Sequence, residues 1–236
     1  MSSSRHSMQP SLADPVTGPT GATGRQATHK ARTAAGAAPG GLTERGLAWL
    51  LLFGGLIGLV AAFVLAVEKY ALLADPDYVP SCSLNPVLSC GSIMASAQAE
   101  AFGFPNPLLG VAGFPVVACT GAALLAGARP ARWFWAGLQV GVTAGAVFVH
   151  WLIFSSLYRI GALCPYCMAV WAVTIPIFWY VTLHNLDRVR ARLPRPLATV
   201  ATTLQRFHGV VLTAWFLILT LAILHTFWLY WSTFLV

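Results

Sequence analysis

Cys164 and Cys167 stand three residues apart in GALCPYCMAVW, at the head of an otherwise apolar run. Two cysteines so spaced at a helix start can close a short disulfide ring, and rings of that kind tend to be redox-active. The helix dipole and the free amides of the first turn favour a thiolate there. Pro165 fits the placement, because proline is tolerated in the first helical turn. A second pair, Cys82 and Cys90, lies in SCSLNPVLSC. Either pair could be a structural disulfide, and four thiolates could hold zinc. A C-x7-C spacing makes a poor zinc knuckle, however, and no extra histidine lies near either pair, so no metal is expected. The fifth cysteine, Cys119, sits among small residues in an apolar run and reads as a packing residue.

These sulfurs need elements to position them, and the composition indicates the solvent. The 236 residues are 57% hydrophobic and 9% charged, with mean hydropathy +0.71. A soluble domain of this length could not hide so much apolar surface. A helix needs about 20 apolar residues to cross the hydrocarbon. Five uncharged stretches qualify: 47–67, 107–128, 133–158, 160–183 and 209–236. The reading is an all-α integral membrane protein of five helices. Continuous runs without the alternation of lipid-facing strands exclude a β-barrel.

The charges set the orientation. Arg5, Arg25, Lys30, Arg32 and Arg45 precede the first span, and Arg129 and Arg132 separate the second from the third. Arg188, Arg190, Arg192, Arg195 and Arg206 separate the fourth from the fifth. With the N-terminus cytoplasmic, these twelve of fourteen basic residues lie inside, and Lys69 and Arg159 remain outside. Glu68, Asp75, Asp77 and Glu100 fall on the outer side. The pI near 9.5 is therefore topological. No nucleic-acid role is expected, since basic and aromatic residues do not interleave on a soluble face.

Residues 1–46 read as a disordered basic cytoplasmic tail. Residues 47–183 hold four spans with an outer loop at 68–106. A basic cytoplasmic linker follows at 184–208, and the fifth span occupies 209–236. The run at 47–67 is longer than a signal-peptide core and reads as a retained span.

On this topology both cysteine pairs face the oxidising compartment. Electrons arriving there need a sink, yet the chain carries no nucleotide-binding loop, haem CxxCH or iron–sulfur spacing. A lipid-soluble acceptor reaching the fourth helix from the bilayer would serve, and a quinone is such a molecule.

Here the chain resembles the vitamin K epoxide reductase (VKOR) family, and more specifically its bacterial disulfide-forming members, over about residues 47–183. The marks are the C-x7-C loop after the first helix, Ser96 six residues beyond the second loop cysteine, PNPLLG at 105–110, and CPYC opening the fourth helix. In the functionally analogous DsbB proteins the CxxC belongs to the first outer loop, whereas here it comes last. The resemblance implies a four-helix VKOR-like bundle, to which the fifth transmembrane helix is an addition. It implies that Cys164 and Cys167 are the active-site pair, with Cys167 nearest the quinone, and that Cys82 and Cys90 are the shuttle pair. Asn106 aligns with the family asparagine that hydrogen-bonds a quinone carbonyl, and Ser96 with a serine on the short loop helix covering the site. Where animal members have a tyrosine four residues after the last cysteine, this chain has Trp171. An indole only donates, so Trp171 reads as a wall of the pocket and epoxide reduction is less expected than quinone reduction. The implied acceptor is menaquinone or ubiquinone, in a bacterial cytoplasmic membrane. Many bacterial relatives fuse a thioredoxin-like domain after the fifth helix. This chain stops at Val236, so a separate thioredoxin-fold, DsbA-like partner is expected.

His150 lies about two turns below the outer rim of the third helix, level with Trp171. An ionisable residue at membrane depth is a functional candidate, here as proton donor to the reduced quinone. The alternative is a neutral histidine bonded to a neighbouring helix. Asp75 and Asp77 in LADPDYVP read as a solvated turn around Pro76. Two rival functions remain: reduction of vitamin K quinone or epoxide for its own sake, and a non-catalytic membrane protein with structural disulfides. Which loop cysteine meets Cys164 does not follow from the sequence.

Overall fold

The first span begins before its apolar run does, and a cap explains why. Thr43 accepts the Gly46 amide on its hydroxyl at 3.1 Å, and Glu44 sits at the positive end of the helix dipole. The computed structural model describes residues 42–85 and 87–232. Helix α1 (Glu44–Ala74) therefore includes the end of the segment assigned to a disordered tail. Residues 1–41 of that tail lie outside the described residues. At the other end of α1, Asp75 Oδ1 accepts the Asp77 amide at 3.0 Å, closing the expected turn around Pro76.

The chain continues through α2 (Cys90–Met94), a 3-10 turn (Ala97–Glu100), α3 (Pro107–Leu125) and α4 (Arg132–Ser155). A π turn (Ser156–Ile160) leads to α5 (Pro165–Val189) and a 3-10 turn (Arg190–Arg192). Helices α6 (Arg195–Arg206), α7 (His208–Thr226) and α8 (Trp228–Ser232) complete the described chain. Among the described residues, five helices are long and apolar enough to cross a membrane: α1, α3, α4 with its π turn, α5 and α7. The all-α, multi-pass architecture read from the sequence is what the chain adopts.

Several helix boundaries differ from the hydropathy reading. The fourth span starts at Pro165 rather than 160, because Gly161 takes a left-handed φ of +70° and stops the π turn. Proline at the first helical position then restarts the helix. The linker is not simply solvated: α5 runs on to Val189, and α6 fills much of the rest. Ala201 and Gln205 of α6 are buried, Leu197 and Val200 are exposed, and the Gln205 amide donates to Asp187 on α5 at 3.3 Å. The fifth span ends at Thr226, and residues 233–236 lie outside the described residues.

Helix α1 packs on α3 and α5, and α4 packs on α5. Between α1 and α3 the backbones nearly touch. A Cβ on Gly55 would fall 2.6 Å from the Ala118 amide nitrogen, and one on Gly121 would collide with the backbone at Leu52. Small residues allow such approach where lipid supplies no hydrophobic drive. Cys119 is turned away from this seam and is exposed, so it is not the packing residue its small neighbours suggested. The core at the far end from the cysteines joins Leu51, Val117, Trp135, Leu138, Ile177 and Val181. Beside it Gln139 donates to Thr182 at 2.9 Å, and Asn185 donates to the Gln139 side-chain Oε1 at 3.0 Å, tying α4 to α5.

Gly121→Leu should force α1 and α3 apart. Overpacking typically costs about 1–3 kcal/mol, so thermal unfolding in detergent should show a lowered midpoint, whereas Gly137→Ala, with open space around it, should not.

Candidate active site

Two adjacent residues at the end of α1 hold the long loop by its two limbs. The Glu68 carboxylate accepts the Tyr78 hydroxyl at 2.9 Å and the Ser81 amide at 3.3 Å, fixing the limb that enters Cys82. The Lys69 ammonium donates to the Met94 carbonyl at 2.7 Å and pairs with Glu100 at 2.8 Å, fixing the limb that leaves Cys90. Both side chains are buried. Burial of charge is tolerable because each is hydrogen-bonded or paired.

The loop is then stitched to the start of α5. Leu163 donates its amide to the Val87 carbonyl at 2.7 Å, and Ser89 donates to the Leu163 carbonyl at 2.9 Å. This short parallel bridge places Cys90, first residue of α2, beside Cys164, the N-cap of α5. Cys82 and Cys90 form a disulfide, and the Cys90 and Cys164 sulfurs lie 3.0 Å apart. A disulfide sulfur has no proton to give, so the contact is a nucleophile resting against its electrophile at reactive distance. Cys164 Sγ also accepts the Cys167 amide at 3.4 Å. The Cys167 thiol and the amides of Tyr166 and Cys167 hold the Cys164 thiol below its ordinary pKa, outweighing burial and the Glu68 charge.

The sulfurs of Cys82, Cys90 and Cys164 lie within 4.8 Å of one another. Two of the three are bonded together and offer no thiolate, so the cluster suits exchange better than metal binding. Cys90 and Cys164 are essentially inaccessible, at 0% and 1% exposure.

Against this cluster lies a cavity of about 720 Å³, bounded largely by α3 and α4. Cys164 and Cys167 line it, together with Ser96, Asn106 and Trp171. The structure thus brings together all four predicted cysteines and three of the four other predicted site residues. Asn106 donates to the Gln98 carbonyl at 2.7 Å and accepts the Ala101 amide at 3.1 Å, so it also closes the lid. Ser96 donates to the Ile93 carbonyl at 2.6 Å, leaving its oxygen able to accept. His150 is not among the cavity-lining residues. Its Nδ1 meets the Ala146 carbonyl at 2.7 Å, and Trp215 of α7 donates to its Nε2 at 3.0 Å. It joins α4 to α7.

Two cavity residues were missed. Lys69 was counted only as an outer charge, although a basic residue next to an acid at the end of an apolar run signals a tethered rim. Thr174 lies on the same α5 face as Cys167 and Trp171, is buried, and has a hydroxyl without a hydrogen-bond partner among the described residues. Its i+7 spacing from Cys167 was the available clue.

The depressed Cys164 pKa is measurable. In a Cys119→Ala background, the thiolate absorbance that disappears in Cys164→Ser should titrate below the usual thiol value of about 8.5. Replacing Cys167 by Ala removes the first cause of the shift and should move that midpoint upward.

A protein-family model described as the vitamin K epoxide reductase family matches residues 49–182, more than half of the chain. No curated protein matches it. The matched segment holds both cysteine pairs and the cavity-lining parts of α1, α3, α4 and α5, and the chain belongs to the vitamin K epoxide reductase family.

Proposed function

We propose that the chain is a membrane thiol–quinone oxidoreductase that reoxidises a separate DsbA-like partner and so supports disulfide formation in exported proteins. The observation that carries this reading is the 3.0 Å approach of Cys90 to Cys164, with Cys167 next in line on the cavity. Family membership supports an oxidoreductase, and the distribution of basic residues supports an extracytoplasmic location for the sulfurs in a bacterial cytoplasmic membrane.

The relay follows from access. Both loop sulfurs are buried, but Cys82 keeps 5% exposure and Cys90 none, so a thiolate on the docked partner attacks Cys82, and the resulting mixed disulfide resolves to oxidised partner and two loop thiols. Cys90 then attacks Cys164 of the oxidised CxxC pair. The bond formed is Cys90–Cys164, and Cys167 leaves as a thiolate. Cys82 attacks Cys90, restoring the loop disulfide and leaving the CxxC pair reduced. A quinone bound in the cavity supplies a sink for two electrons and two protons. The residues fit such a guest: polar groups on Ser96, Asn106 and Lys69 gather near the sulfurs, and the remaining wall is largely apolar. Residues 47–183 are then the catalytic core and the fifth span an addition.

Cys167→Ser should trap the Cys90–Cys164 disulfide, seen by mass spectrometry of a proteolytic digest. Wild-type protein should oxidise a reduced thioredoxin-fold protein only when menaquinone or ubiquinone is supplied. Oxidation that proceeds without quinone, or a trap through Cys82 instead of Cys90, would count against the scheme. Turnover of vitamin K epoxide faster than quinone would favour the rival reductase reading.

A further inference from the structure

Lys69 is the single charged side chain among the described residues lining the cavity. Its ammonium carries three donors, and two are engaged, by the Met94 carbonyl at 2.7 Å and Glu100 at 2.8 Å. One N–H is left for the cavity. Its side chain is 8% exposed, while that of Glu100 is 40% exposed. A wet carboxylate thus touches a buried ammonium, and the ammonium touches the space beside Cys164 and Cys167.

We propose that Lys69 is a catalytic residue that delivers a proton to the bound acceptor and is refilled from water past Glu100. The inference rests on the quinone reading above. Reduction of a quinone to a quinol takes two electrons and two protons. When the Cys164–Cys167 disulfide forms, two electrons leave the sulfurs. A disulfide forms through a thiolate, so when Cys164 reacts as the thiolate the Cys167 thiol releases one proton and Cys164 releases none. The missing proton must come from a group at the cavity, and Lys69 has the place and the chemistry. The sum is thiolate, thiol, quinone and ammonium giving disulfide, quinol and amine, after which the amine recovers its proton from solvent. An ammonium in an otherwise apolar cavity also stabilises negative charge as it develops on the acceptor, since little water screens it.

The test is a single turnover. The full chain in detergent, reduced beforehand and freed of reductant, is mixed with menadione, and disulfide formation is followed against menadione concentration. Lys69→Arg keeps a cation that can hold Met94 and Glu100, yet a guanidinium does not give up its proton. The expected result is a maximal rate lowered at least about tenfold, in line with general acid catalysis, with the half-saturating concentration and the Cys90–Cys164 trap unchanged. A Lys69→Arg protein that reacts at the wild-type rate would overturn the proposal and leave Lys69 as a tether. If Cys167→Ser forms the trap but the wild-type protein never reduces menadione, the quinone reading is overturned first, and this inference with it. Should Lys69→Arg fail to fold, wild-type protein in deuterium oxide decides: a clearly slowed turnover supports proton delivery, and an unchanged one sinks it.

Discussion

Two backbone hydrogen bonds, Leu163 to Val87 and Ser89 to Leu163, bring the redox groups together. Each is worth only about 0.5–1.5 kcal/mol net, which is small against the entropy of closing the long loop over the bundle. The loop stays in place because its limbs are fixed independently, one by Glu68 and the other by Lys69. These neighbours leave the same helical turn with opposite charges and hold opposite ends of one segment. With the limbs fixed, the bridge has little left to order, and it can set the sulfur spacing to within reactive distance.

Much of this was legible because membranes restrict what a chain can do. Apolar length gave the spans, and the cysteine order gave the pairs. Ser96, Asn106 and Trp171, singled out on the family resemblance, line the cavity. What was not legible depends on contacts between distant segments. Hydropathy sees no boundary at Gly161, because a left-handed glycine inside an apolar run changes direction without changing polarity. It cannot tell which loop cysteine faces Cys164, since that is settled by a bridge between residues more than seventy positions apart. His150 illustrates the converse. Its place inside α4 suggested chemistry, but its cross-helix partner is Trp215 on the fifth span, a contact no periodicity within α4 could reveal.

The cavity owes its size to what α3 and α4 lack. Gly113 on one and Gly137 and Gly141 on the other leave open space where side chains would stand, while α1 and α3 are drawn together by Gly55 and Gly121. The same residue type therefore closes one seam and opens another, depending on whether a neighbouring backbone occupies the vacancy. Ser96, Asn106 and Lys69 supply polar groups to a wall that is otherwise largely apolar.

The burial of Cys90 and Cys164 has a consequence for selectivity. A small dissolved thiol or oxidant would discharge an exposed sulfur couple by simple collision. With these two sulfurs sheathed beneath the loop, collision is screened out, and anything that reacts with them must first dock on or displace the segment that covers them.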